Sequence, residues 1–264
     1  MNRALGLLAV FLIGLGLIAA PALAQDKVTL QYKFEPKEKL KYKLNMSTEA
    51  KFQTPDGSTR TTSMKNTMEL DQELIEKKDD GNFRVAVTIT KADQQIDGKP
   101  AQLQVPVGNT VLLTMKPNGQ IVEGASDTPS GSQSPQLQML FPEKAVGPGD
   151  TWDQTSKIQQ PIPLETTTKY AVEALAADMP GYDGKVVSIK SNMAMENEKT
   201  PTGEAVSSKT EGKIFFDTAK GRIVNSKASS TFNIAIPINL QNILPPNSVV
   251  KIDFKIDIDI TLAK

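Results

Sequence analysis

The chain predicts an all-β fold, an antiparallel meander present in two copies, on three observations. Apolar and polar residues alternate with period two from one end to the other. Asp-Gly and Asn-Gly dipeptides separate the alternating runs. Three turn anchors recur in the same order in each half. Successive strand side chains point to opposite faces, so such runs describe sheets with one face buried and one wet. Asp-Gly and Asn-Gly supply the positive φ angles that tight hairpins require.

The first residues read differently. Arg3 precedes an unbroken apolar run from Ala4 to Ala20, and Pro21 ends any helix there. Ala22-Leu23-Ala24 then places small residues, Ala22 and Ala24, at the positions that signal peptidase reads before Gln25. A basic start, an apolar core and an A-x-A site make residues 1–24 a cleavable secretory signal. The competing reading is an uncleaved anchor, since the run approaches the ~18–20 residues that span a bilayer, but the cleavage site sits where a signal's should. Localisation is therefore expected to be periplasmic or extracellular, with no membrane span after processing. With no cysteine to lipidate or to oxidise, the mature chain must be held by packing and strand pairing.

Within the mature chain, Val28, Leu30, Tyr32 and Phe34 fall on one face of a first segment, and Leu40, Tyr42, Leu44 and Met46 on one face of a second. Phe83, Val85, Val87 and Ile89 repeat the pattern. In the last strand Ile252, Phe254, Ile256, Ile258 and Ile260 oppose Asp253, Lys255, Asp257, Asp259 and Thr261, which predicts an interior row of five apolar side chains. Ser134 as N-cap and Pro135 at the first helical position predict one short helix near 135–141, with Leu137, Leu140 and Phe141 on its face. The Ser, Pro, Gly, Asp and Thr content before it predicts a linker or long loop over 126–136.

That linker separates two expected repeats, 25–125 and 137–264, the second ending in the C-terminal strand. Glu35-Pro36 before Leu40 corresponds to Gly147-Pro148 before Trp152, Asp80-Gly81 to Asp183-Gly184, and Asn118-Gly119-Gln120-Ile121-Val122 to Lys220-Gly221-Arg222-Ile223-Val224. The interval from Gly81 to Gly119 differs by one residue from that between Gly184 and Gly221. Ordered anchors suggest duplication, although hairpin turns look alike in any β protein. The product is a curved sheet, a half-barrel or a sandwich.

Chemistry is mostly excluded. The chain has no histidine and no cysteine, which removes Ser-His-Asp and Cys-His catalysis and the usual zinc, copper and haem ligands. Ser248-Val249-Val250-Lys251 spells S-x-x-K, but on a strand its two side chains point to opposite sides. Asp257 and Asp259 share a strand face at about 7 Å, where a weak calcium site competes with a solvated face that guards a strand edge. No phosphate-binding glycine loop follows the signal. Charge balances at 30 basic and 30 acidic residues, which argues against nucleic acid as a partner. Trp152, the sole tryptophan, reads as a core anchor. No catalytic residue, metal ligand or cofactor is expected.

Phe141-Pro142 to Val146, followed by Gly149-Asp150-Thr151-Trp152, together with Tyr32, Phe34 and Tyr42 in two early strands, resembles a family of uncharacterised exported bacterial β proteins. That resemblance implies the fold and the compartment, and it implies no activity.

Methionine supplies the one functional hint. Of nine methionines, Met46, Met68, Met115, Met193 and Met195 lie in strand-like segments, where they would line an adaptable cavity for an apolar ligand or fill gaps in a core poor in aromatics. The leading expectation is a non-enzymatic envelope protein that holds a hydrophobic ligand or partner segment in its curved sheet. The alternative is a structural or interaction module that contacts another envelope protein. A carboxylate- or serine-dependent hydrolase ranks third.

Overall fold

The computed structural model describes residues 26–102, 107–124, 139–158, 164–199, 205–238 and 248–263. The cleavage-site residues Ala22, Ala24 and Gln25 and the 126–136 linker lie outside them. Twelve strands form one antiparallel sheet: β1 (Lys39–Gln53), β2 (Thr59–Lys77), β3 (Phe83–Ile96), β4 (Lys99–Ala101), β5 (Thr110–Met115), β6 (Ile121–Glu123), β7 (Thr151–Ile158), β8 (Leu164–Asp178), β9 (Lys185–Lys199), β10 (Ala205–Asp217), β11 (Arg222–Ile238) and β12 (Ser248–Leu262). The spatial order is β6-β5-β3-β2-β1-β12-β11-β10-β9-β8-β7, with β4 paired to β3, and the sheet does not close. Among the described residues there is no helix. Of the segment expected to be helical, residues 135–138 lie outside the description, and Met139, Leu140 and Phe141 have irregular backbone. Phe141 N donates to Asn118 O at 2.8 Å, so its amide goes to a neighbouring turn and not to a helical carbonyl.

The sheet is a meander cut in an unexpected place. Chain order runs outward from β1 to β6, then inward from β7 to β12. The last strand docks on the first, pairing Tyr42 with Leu262 and Phe52 with Ile252. β12 therefore sits at the centre, bonded to β1 on one side and β11 on the other. Its acidic face guards no edge. The anchor turns lie between β2 and β3, between β8 and β9, between β5 and β6, and between β10 and β11.

Register assigns the faces. Even-numbered residues of β1, β12 and β11 stand opposite one another in rows such as Met46–Ile258–Ala228 and Ala50–Phe254–Phe232. We call this the inner face. A slip by one residue would exchange it with Asp253, Asp257 and Asp259, so the pattern holds the register.

One end of the inner face is filled. Val28–Phe34, expected to be a strand, makes only the isolated bridge of Val28 to Val146 and otherwise crosses between the two wings of the sheet as a strap. Its alternation survives because it is buried on one side only. Its amides go to turns: Tyr32 N donates to Pro117 O at 2.7 Å, and Lys33 N to Gly221 O at 3.0 Å. Both turns depend on glycine. Gly119 has φ 93°, and a Cβ there would strike the Met139 carbonyl and the Tyr32 ring. Gly221 has φ 61°, and a Cβ would strike the Lys33 backbone. Two of the anchors recognised in the sequence thus grip the same strap from opposite wings.

Around the strap lies the main core. Leu30 and Tyr32 join Phe83, Val85 and Met115 of one wing with Val172, Val187, Ile189, Ile214 and Phe216 of the other, and with Met139, Phe141 and Val146. The rings of Tyr32, Phe141 and Phe216 meet at centroid distances of 4.6–5.7 Å, partly edge to face. Tyr32 Oη accepts from Met139 N at 2.7 Å, and burial raises its pKa far above the ordinary phenol value. Trp152 flanks this core, stacked on Tyr170 at 5.3 Å, with its Nε1 donating to Leu140 O at 2.9 Å.

A polar network seals the same end. Arg222 grips Glu38 with two bonds of 2.7 and 3.0 Å. Asp217 accepts from Lys220 N at 2.9 Å and from the Tyr182 hydroxyl. Burial alone would raise the Asp217 carboxyl, but the bonds from Tyr182, Lys220 and Ala219 outweigh it and hold it below its ordinary 3.8. A depressed folded-state pKa stabilises fully above the unfolded value and is lost as pH falls through the folded one. Asp217→Asn should therefore cost about 1–2 kcal/mol at pH 7 and lose less stability than the wild type below pH 4. Urea unfolding at pH 7 and pH 3 checks both; equal losses in both proteins would refute the assignment.

Candidate functional site: the uncovered inner face

Beyond the strap, the inner face continues along the strands. Met46, Thr48 and Phe52 of β1, Met64 and Met68 of β2, and Ile252, Phe254, Ile256, Ile258 and Ile260 of β12 are only partly buried. The expected interior row of β12 does share one face, but none of its five side chains is fully buried. The reason is architectural. All twelve strands belong to one sheet, so among the described residues no second sheet packs over this face. The sequence pattern shows which side is apolar; it cannot show how far that side is covered.

From Leu44 to Phe52 the band runs about 27 Å at strand rise, and from β2 to β10 it is about 19 Å wide. Its two sides differ. The β2, β1 and β12 side carries Met, Ile and Phe. The β10 and β11 side carries Ser208, Thr210, Ser226 and Ser230 between apolar residues. Phe232 and Phe254 face each other across β11 and β12 at 6.1 Å, against the buried cluster of Met195, Val206 and Ile234.

The five methionines fall on this face, but not in one place. Met46 and Met68 are half-buried on the β1–β2 side, and Met193 is half-buried on β9. Met195 is 7% exposed within the small cluster beside Phe232. Met115 is 0% exposed inside the main core, where it fills a gap under the strap and has no open surface to offer a ligand. Position along the strand decides between lining and filling, and period two carries no information on that. Ser208 and the stretch of β10 around it escape a sequence reading, because Ser207-Ser208-Lys209-Thr210-Glu211 contains no apolar residue to reveal alternation.

The opposite face is charged. A groove of about 760 Å³ crosses the middle of the sheet, with Lys65, Glu173, Lys190, Glu211, Lys213, Lys227, Asp257 and Asp259 among its lining. Its charges answer one another: Lys213 lies 2.9 Å from Glu173, and Lys227 lies 3.1 Å from Asp259. Asp259 also accepts from Asn225 at 2.9 Å and from Thr261 at 3.0 Å, and these bonds, with Lys227, hold its pKa down against burial. The calcium reading of Asp257 and Asp259 finds the second carboxylate already engaged, and no group of three metal-binding side chains occurs among the described residues. Ser248 and Lys251 both belong to β12, three residues apart in a strand and not on one turn of a helix. Every resolved carboxylate shift among the described residues is downward.

The fold and this face define an open, single-layer antiparallel β-sheet protein with an apolar inner band. No protein-family model matches the chain, and no curated protein matches it. Among solved structures, it is similar to lipovitellin, in a structure titled for its lipid–protein interactions, at a TM-score of 0.48 and 12% identity. That match covers 88% of this chain and 26% of the other, so the chain spans about a quarter of the lipovitellin chain. A second match is DynF from the dynemicin biosynthesis pathway of Micromonospora chersina, at a TM-score of 0.20 and 6% identity, covering 89% of this chain and 85% of that one.

Proposed function

We propose that this protein is an exported, non-enzymatic carrier that lays an apolar, chain-like ligand along the inner face of its sheet, in the periplasm or outside the cell. One observation carries the reading: a contiguous band of only partly buried Ile, Met and Phe side chains on one face of a sheet over which no second sheet packs among the described residues. Large uncovered apolar areas on a protein surface mark places where something binds. The band is longer than it is polar, which suits flexible hydrocarbon chains better than a compact ring. Methionines on its β2 and β9 flanks add side chains that adapt to such a ligand. The signal-like residues 1–24 supply the route of export, and the repeated turn anchors suggest that the two half-sheets arose by duplication.

The test uses Ile256→Ser. Ile256 stands between Thr48 on β1 and Ser230 on β11, so a hydroxyl residue fits its neighbours and the strand. Removing that aliphatic contact should weaken binding of a fluorescent long-chain phospholipid roughly 5- to 30-fold, with a lowered melting temperature but a cooperative transition that shows the fold is kept. Equal affinity in variant and wild type, or no lipid bound by either, would overturn the reading.

A further inference from the structure

The inner face holds one hydroxyl that the fold leaves unmet. Ser208 is 8% exposed, and its Oγ has no hydrogen-bond partner among the described residues. It sits on β10 opposite Phe232 of β11 and Met195 of β9, both on the inner face. Its neighbour along the same face, Thr210, is different: its Oγ1 lies 2.9 Å from Ser230 Oγ, so those two hydroxyls satisfy each other. Buried polar groups are nearly always paired, and an exception calls for a partner that binds.

Water is a poor candidate. A buried water needs two to four polar partners, and around Ser208 the inner face offers Phe232, Met195 and Val206. A carbonyl oxygen attached to a hydrocarbon chain fits better. It needs one donor, which the hydroxyl supplies, and its flanking methylenes match the surrounding apolar wall.

We propose that Ser208 is a specificity-determining residue that donates a hydrogen bond to the acyl carbonyl of an ester lipid, so that the protein selects acyl chains over plain alkyl chains. This rests on the carrier reading and adds the headward end of the ligand: chains along β12 and β1, carbonyl at β10.

The experiment compares dioleoyl phosphatidylcholine with its dialkyl ether analogue, which has the same chains and headgroup and no carbonyl. Wild-type protein should bind the ester about three- to tenfold more tightly, the scale of one neutral hydrogen bond. Ser208→Ala should lose that preference by weakening the ester alone, with ether binding unchanged. Without lipid, the variant should melt at or above the wild-type temperature, because it removes an unmet hydroxyl. Equal binding of ester and ether by wild type would overturn the assignment and leave the carrier reading standing. A preference that persists in Ser208→Ala, or a lower melting temperature of the free variant, would overturn it as well. Binding of neither lipid would remove the carrier reading first, and this inference with it.

Discussion

A chain truncated before Lys251 is expected to be unfolded or insoluble. β12 is the centre of the sheet, and its loss strips hydrogen-bond partners from β1 and β11 together. It would divide one sheet into two, each with a new, long, free edge next to apolar side chains, the arrangement that favours aggregation. Each inner residue of β12 is part-buried and contributes less than the ~1.5–3 kcal/mol of a fully buried side chain. Five of them, with two hydrogen-bond ladders, are a large share of what holds a fold whose net stability is about 5–15 kcal/mol. Ile256→Pro is the gentler version, since a proline in a central strand removes a ladder amide and is excluded there. Soluble yield and cooperative melting are the readouts. A truncated chain that melts cooperatively near the wild-type temperature would contradict the central placement.

The second large effect is expected at the strap. Leu30 is 0% exposed, between β3 and β5 on one side and β8 to β10 on the other. Leu30→Ala should cost about 2–5 kcal/mol, the range for a large-to-small change that leaves a cavity. Tyr32→Phe should cost about 1–3 kcal/mol, because it leaves the Met139 amide buried without its acceptor. Urea unfolding of both variants measures this. The strap's two amide contacts, at Pro117 and Gly221, reach the two wings separately. Its loss should therefore also loosen the wings relative to each other, visible as faster amide exchange in β5 and β10. A Leu30→Ala cost below ~1 kcal/mol would mean that the wings hold without it.

Period-two alternation and turn dipeptides reach far into this fold. They identify the antiparallel sheet, the face that each strand of β1, β3 and β12 turns inward, and the hairpins at Gly81, Gly119, Gly184 and Gly221. These are local consequences of side-chain geometry and positive φ, and a sequence carries them without reference to anything distant. The same logic misreads Val28–Phe34 as a strand of the sheet, because a strap buried on one side alternates like a strand. It misreads 139–141 as helical, because a Pro-led apolar spacing is also what a loop uses to plug a core.

For the candidate site, the division is sharper. By itself the amino-acid sequence determined an all-β protein with signal-like residues 1–24, an apolar face, balanced charge, and no histidine or cysteine for chemistry. Tertiary structure alone decided that β12 closes onto β1, that Met115 is core while Met46 and Met68 are only partly buried, and that the Ser208 hydroxyl has no partner among the described residues. The physical reason is that alternation records which side of a strand is apolar, a property of neighbours in the chain. Whether that side is then covered depends on what packs against it from more than a hundred residues away, as the strap does at one end.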